Sequence, residues 1–156
     1  MRIFYSPDDC RQALGPCVAT IGKYDGMHLG HQRILDQVLA LGEQLQLPTV
    51  VLLSEPQPEE FFNPAKAPAR LSPFADKVEF LTAYGLDAVL RMDFNAALSQ
   101  QSAASFAADY LGARLGLRAL VVGDDFRFGR QRQGDFALLQ HTGENLGFTV
   151  QAVNGY

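Results

Sequence analysis

The sequence predicts an open, doubly wound α/β sheet of about five mostly parallel strands. Three observations point there. Five short apolar runs are too brief for buried helices. Longer stretches between them carry apolar residues at helical spacing. Glycine or proline closes most of the segments. Strands separated by helices imply parallel βαβ units with right-handed crossovers.

The first run, Cys17 to Ile21, is closed by Gly22 and reads as a buried strand. From about Gly30 to Leu45, the residues Ile34, Leu35, Val38, Leu39, Leu41 and Leu45 recur near helical period. Gln32, Arg33, Asp36, Gln37, Glu43 and Gln44 form the opposite face, the pattern of an amphipathic helix. Thr49 to Leu53 is the second strand. Glu55 to Ala69 holds Pro56, Pro58, Pro64 and Pro68, so it can be neither a continuous helix nor a central strand. Ser72 and Pro73 read as an N-cap and a proline at the first helical position. That helix runs to about Tyr84 and stops at Gly85. Leu86 to Arg91 is the third strand and Ser102 to Leu115 an Ala-rich helix. Leu117 to Val122, ending at Gly123, is the fourth strand. Asp135 to Asn145 is a helix stopped by Gly147, and Phe148 to Val153 is the fifth strand.

The chain has 156 residues, which fits one compact domain. Its 47% hydrophobic and 19% charged residues allow a core without disulfides or a structural metal. A net charge of −4 argues against a broad nucleic-acid face. It leaves room for one small anionic ligand at a helix N-terminus. No run approaches the roughly 18 apolar residues that span a bilayer, and Met1 to Asp9 lacks a secretory core. The expectation is a cytoplasmic protein with neither nucleic-acid nor membrane partners. Cys10 and Cys17 match no redox or zinc spacing and read as small thiols in a reducing compartment.

In doubly wound sheets ligands bind beyond the carboxyl ends of the strands. Three post-strand segments therefore carry the interest: Gly22 to His31, Ser54 to Phe62 and Gly123 to Asp135. In the first, Gly22, Gly26 and Gly30 let the backbone turn sharply and approach a ligand. His28 and His31 stand three apart at the mouth of a helix, on one side of it if the turn is helical. There the dipole and the free N–H groups favour anions, as phosphoryl or nucleotidyl transfer requires. A zinc site wants three or four protein ligands, and the chain supplies no matching cluster; His141 lies far along the sequence. Plain polar residues on a Gly-shaped loop are the other reading of that spacing.

His28-Leu29-Gly30-His31 matches the H-x-G-H signature of the nucleotidyltransferase superfamily. With Gly22, Asp25, Gly26 and Gln32 it resembles the longer G-x-F-D-G-V-H-x-G-H-Q motif of bacterial bifunctional riboflavin kinase/FMN adenylyltransferases. Tyr24 stands where Phe is usual, and Met27 where Val is. Ser54-Glu55-Pro56-Gln57-Pro58-Glu59-Glu60-Phe61-Phe62 resembles the family's F-E-P-x-P-x-E-x-F stretch, with Ser54 replacing the usual Phe. Lys66 to Leu71 continues the match. Val122 to Asp135 resembles V-G-x-[DN]-F-x-F-G-x-x-R-x-G-D throughout.

The resemblance implies a Rossmann-like nucleotidyltransferase fold that transfers AMP from ATP to FMN, giving FAD and pyrophosphate, with Mg²⁺ as cofactor. It makes His28 and His31 catalytic. Gly22, Lys23, Tyr24, Asp25, Gly26 and Gly30 become nucleotide-binding. Glu55, Pro56, Gln57, Pro58, Phe61, Phe62, Asp125, Phe126, Arg127, Phe128 and Gly129 become flavin-binding, and no protein metal ligand is assigned. Arg127 and Arg132 suit a phosphate. The family's Ser-Ser-Thr-x-x-Arg segment and its C-terminal riboflavin kinase domain are not in this sequence, so residues 1–156 read as the adenylyltransferase domain alone. Two rivals stay open: a nucleotide-binding fragment without turnover, and a sister H-x-G-H transferase such as a cytidylyltransferase or a pantetheine-phosphate adenylyltransferase.

Overall fold

The computed structural model describes the backbone of residues 1–24, 29–55, 73–93 and 96–154. Within them a six-stranded, all-parallel sheet forms the centre. Its strands are β1 (Arg2–Phe4), β2 (Cys17–Gly22), β3 (Thr49–Glu55), β4 (Ala88–Asp93), β5 (Leu117–Gly123) and β6 (Thr149–Val153). They lie in the order β1-β4-β3-β2-β5-β6. From β2 the chain steps outward through β3 to β4, then returns to the other side of β2 for β5 and β6. The direction of winding reverses between β2 and β5, and the crevice beyond their carboxyl ends is where such sheets hold ligands.

The five expected strands are all present, and β1 is the sixth. It is three residues long, pairs only with β4, and turns one buried side chain, Phe4, to the core. So short an edge strand carries no alternation to read. The helix after it, α1 (Pro7–Leu14), was also not expected. Ser6 caps it by accepting from the Asp9 N–H at 3.1 Å, Pro7 opens the first turn, and Asp8 and Asp9 face the positive end of the dipole.

The remaining helices follow the expected order, except that the short one over Ala96–Gln100 was not expected. They are α2 (Leu29–Leu45), α3 (Phe74–Tyr84), the short α4 (Ala96–Gln100), α5 (Ala103–Ser105) and α6 (Phe136–Leu146). Two details differ from the sequence reading. Pro73 occupies the N-cap position of α3 rather than the first helical one, and Ser72 lies outside the described residues. The Ala-rich helix, capped by Ser102, opens after α5 into a wider π-helical stretch, Phe106–Arg114, in which Leu115 N–H reaches back to Tyr110 C=O at 3.0 Å. Gly85 and Gly147 end α3 and α6 in left-handed conformation, as expected.

Alternation along the strands sends side chains to two cores. Val18, Val51, Leu53, Val89 and Val121 pack under α2 and α3, against Leu35, Val38 and Leu81. Cys17, Val50, Leu52, Leu90, Leu120 and Val122 pack under α1, the π-helical stretch and α6, against Phe106, Leu111 and Leu139. The near-continuous apolar runs in β2, β3 and β5 follow from this, because a parallel strand covered on both faces has no solvent side. Both cysteines are buried free thiols, which burial pushes up to about 11 for Cys10 and about 12 for Cys17.

Candidate functional site

A cleft of about 940 Å³ opens at the carboxyl ends of β2 and β5. Ile21, Gly22 and Lys23 line it from the end of β2, and His31 from the first turn of α2. Ser54 and Met92 come from β3 and β4. Asp125 to Arg132 close the side beyond β5. The topology thus brings members of all three post-strand segments to one place. Its size suits a nucleotide-sized ligand.

The expected site residues fall into four groups. Gly22, Lys23, His31, Asp125, Phe126, Arg127, Phe128 and Gly129 line the cleft. Tyr24 and Glu55 do not, and both side chains are buried. Gly30 sits in the first turn of α2. His28, Asp25, Gly26, Pro56, Gln57, Pro58, Phe61 and Phe62 lie outside the described residues.

Tyr24 explains how His31 is presented. Its ring lies 4.8 Å from the His31 ring, tilted by 43°. Its hydroxyl shares a 2.6 Å hydrogen bond with the buried Thr20 hydroxyl on β2, and burial raises the phenol's pKa. The backbone at Tyr24 has φ 52°, left-handed for an aromatic residue, a conformation that costs about 1–3 kcal/mol. The family's usual Phe would keep the ring and lose the hydroxyl bond, so the departure at position 24 comes with a partner for its oxygen.

Beneath the turn, Lys77 of α3 donates from Nζ to the Lys23 carbonyl at 2.9 Å and lies 3.6 Å from Glu55 Oε1. Both side chains are almost wholly buried. Glu55, expected on the flavin side, therefore points to the α3 face of the sheet while its neighbour Ser54 lines the cleft.

The loop after β5 is built to hold its shape. Phe128 and Gly134 exchange backbone hydrogen bonds at 3.2 and 2.8 Å, closing the segment between them. Phe126 stacks on Phe128 at 5.7 Å and 10°, and Phe128 in turn meets Phe106 at 5.9 Å. Phe128 is buried in the core and Phe126 half-buried, so the pair forms a flat wall anchored from behind. At Gly129 φ is 79°, and a β-carbon there would come within 2.6 Å of the Ala103 Cα. Gln131 and Arg132 also have positive φ, 56° and 53°, strain of the kind that collects at ligand sites. Asp135 caps α6 through the Leu138 N–H at 3.0 Å, and its 4.0 Å pair with Arg127 is exposed and weak.

The electrostatics differ from those of the whole molecule. Lys23, Arg127, Arg130 and Arg132 face the cleft against Asp125, in a chain whose net charge is −4. The excess of cations beside the first turn of α2 suits phosphate groups. His141 is exposed on α6, remote in sequence from this cluster.

Sequence reasoning missed one side of the cleft. Leu98, Ser99, Gln100 and Gln101 line it from α4 and the residue after it, and Arg130 N–H is tied to Gln101 C=O at 3.0 Å. The rule that chose the other segments also covers the stretch after β4, so the signal was available. Lys77 had a signal too, as a lysine on the apolar stripe of α3 with Phe74, Val78 and Leu81.

A crystal structure described as a macrolide-efflux protein from Streptococcus pneumoniae superposes with a TM-score of 0.74, covering 99% of this chain and 50% of that one. At 20% identity this likeness speaks for the fold alone. Among curated proteins, the bifunctional riboflavin kinase/FMN adenylyltransferase of Pseudomonas fluorescens is 49% identical over 136 residues, 87% of this chain and 43% of that protein. The protein of the same name from Escherichia coli (strain K12) is 42% identical over 140 residues, 90% and 45% respectively. The one from Haemophilus influenzae is 38% identical over 151 residues, 97% and 49%. The chain spans less than half the length of these relatives. Residues 10–156 match the family model for FAD synthetase, and the chain belongs to the FAD synthetase family.

Proposed function

We propose that this domain is an FMN adenylyltransferase, making FAD and pyrophosphate from FMN and ATP. The observation that carries the reading is the cleft at the β2/β5 reversal, which His31 and Lys23 line together with Asp125, Phe126 and Arg127. An FMN phosphate oxygen, already ionised at neutral pH, attacks the α-phosphorus of ATP. A bond forms from that oxygen to phosphorus, the bond to the bridging oxygen breaks, and pyrophosphate leaves with the electron pair. His31, with His28, stabilises charge on the phosphoryl oxygens and the leaving group. Lys23 and the cleft arginines hold phosphates. The Phe126–Phe128 wall gives the isoalloxazine ring a flat apolar face.

Mg²⁺ fits the donor set. It is usually held by one or two carboxylates together with substrate phosphates, and Asp125 offers one carboxylate in the cleft. Bound there with ATP, it would neutralise phosphate charge. The kinase activity in the relatives' names is, on this reading, the work of sequence outside these residues, and the domain works in the cytoplasm.

The test is incubation with FMN and Mg·ATP, with FAD separated by chromatography and a His28→Ala, His31→Ala double variant as control. FAD from the unaltered chain and none from the variant supports the reading. Saturable quenching of FMN fluorescence without FAD would make the domain a flavin-binding module. Neither product nor binding would refute the assignment and favour a sister transferase.

A further inference from the structure

We propose that Lys77 is a positioning residue for the nucleotide turn, setting the His31 ring from outside the cleft. Lys77 is absent from the cleft lining. It sits on the stripe of α3 that faces the sheet, where Phe74, Val78 and Leu81 pack. Its side chain has no exposed surface. An ammonium group is costly to bury unless it is paired and hydrogen-bonded, so the groups that meet it indicate its work.

Among the described residues, two such groups lie at the carboxyl ends of adjacent strands. Glu55 Oε1, at the end of β3, lies 3.6 Å away. The Lys23 carbonyl, just past β2, accepts from Nζ at 2.9 Å. These strands run side by side, with Gly22 in register with Leu53. One buried cation therefore ties the turn after β2 to the end of β3.

The carbonyl it holds is the informative one. The peptide between Lys23 and Tyr24 sets φ at Tyr24, and that φ is 52°, which an aromatic residue adopts only where its surroundings enforce it. Lys77 grips the plane on one side, and the Thr20–Tyr24 hydroxyl bond grips the ring on the other. The ring so placed lies 4.8 Å from His31. Lys77 thus acts on the cleft through the Lys23 carbonyl, the strained turn and the Tyr24 ring in succession.

The test compares Lys77→Met combined with Glu55→Leu, an apolar pair of similar volume, with Lys77→Arg, which keeps charge and donors. The kinetic readout rests on the proposed adenylyl transfer; the spectroscopic one does not. In the double variant the melting temperature should stay near that of the unaltered chain, as when a buried ion pair is replaced by packed hydrophobes. The His31 Hε1 resonance, displaced by the Tyr24 ring, should move toward the position of the exposed His141. The kcat for FAD formation should fall about tenfold or more. Lys77→Arg should recover most of both. A double variant with unchanged His31 resonance and kcat would overturn the inference. So would one that does not fold, since the pair would then hold the fold rather than the turn. If the unaltered chain makes no FAD, the functional reading fails by itself and the resonance still decides the role of Lys77.

Discussion

Removing the hydroxyl of Tyr24 tests the account of the turn most directly. Thr20 is fully buried, and its hydroxyl shares a 2.6 Å bond with that of Tyr24. Tyr24→Phe keeps the ring against His31 and leaves the Thr20 oxygen without this partner. Stranding a buried hydroxyl costs about 1–3 kcal/mol. At about 2 kcal/mol, a chain of this length should melt about 4–8 °C lower. Thr20→Val strands the Tyr24 oxygen instead and should cost a similar amount. The double variant removes both polar atoms together, which is close to neutral when the shapes match. With about 2 kcal/mol for each single change and a nearly neutral double change, the cycle should therefore give a coupling of about 3 kcal/mol, the double change costing much less than the two singles together. Urea and thermal unfolding followed by circular dichroism measure all four chains. FAD formation should be little changed in Tyr24→Phe, because the ring survives. Tyr24→Ala, which removes the ring, should lower kcat by about tenfold or more. Two costless single changes, or a double change costing their sum, would refute the reasoning.

Two further outcomes follow from the geometry. Gly129→Ala forces a β-carbon into Ala103 at 2.6 Å in a left-handed conformation, and should cost about 2–4 kcal/mol in urea unfolding; a cost near zero would mean the loop after β5 is not fixed as described. Burial raises the Cys17 thiol from 9.0 to about 12, so the folded chain keeps a proton that the unfolded chain releases above about pH 9. The stability this carries is complete below about pH 9 and drains as pH climbs toward 12, by at most about 1.4 kcal/mol per pH unit. Urea unfolding at a series of pH values should show that slope, and an equal slope in Cys17→Ala would refute the buried-thiol account.

Much of the scaffold was legible because long elements repeat their signal. The stripe of α2 and the unbroken runs of β2, β3 and β5 left little choice of fold. Short elements failed for lack of repetition. In β1 only Phe4 points inward, and one residue makes no period. For α1 the signal existed as a local cap, Ser6 with Pro7, Asp8 and Asp9, but an eight-residue helix with buried Pro7 and Cys10 has no stripe to corroborate it.

The site divides along a different line. Residues that line the cleft at strand ends could be found from the topology rule, and Lys23, His31 and Asp125 to Gly129 were. Residues that hold the site's shape announce themselves only by contradiction. Lys77 is a charge on an apolar stripe, and Tyr24 combines a buried ring with a conformation its residue type disfavours. The motif places Glu55 in the expected flavin block, yet alternation along β3 turns Ser54 and Glu55 to opposite faces. One residue of register thus separates a group that lines the cleft from one that works through the backbone of the next strand. Motif matching assigns Glu55 to the ligand, whereas the pleat turns it to the Lys23 turn, together with Lys77 and the Lys23 carbonyl.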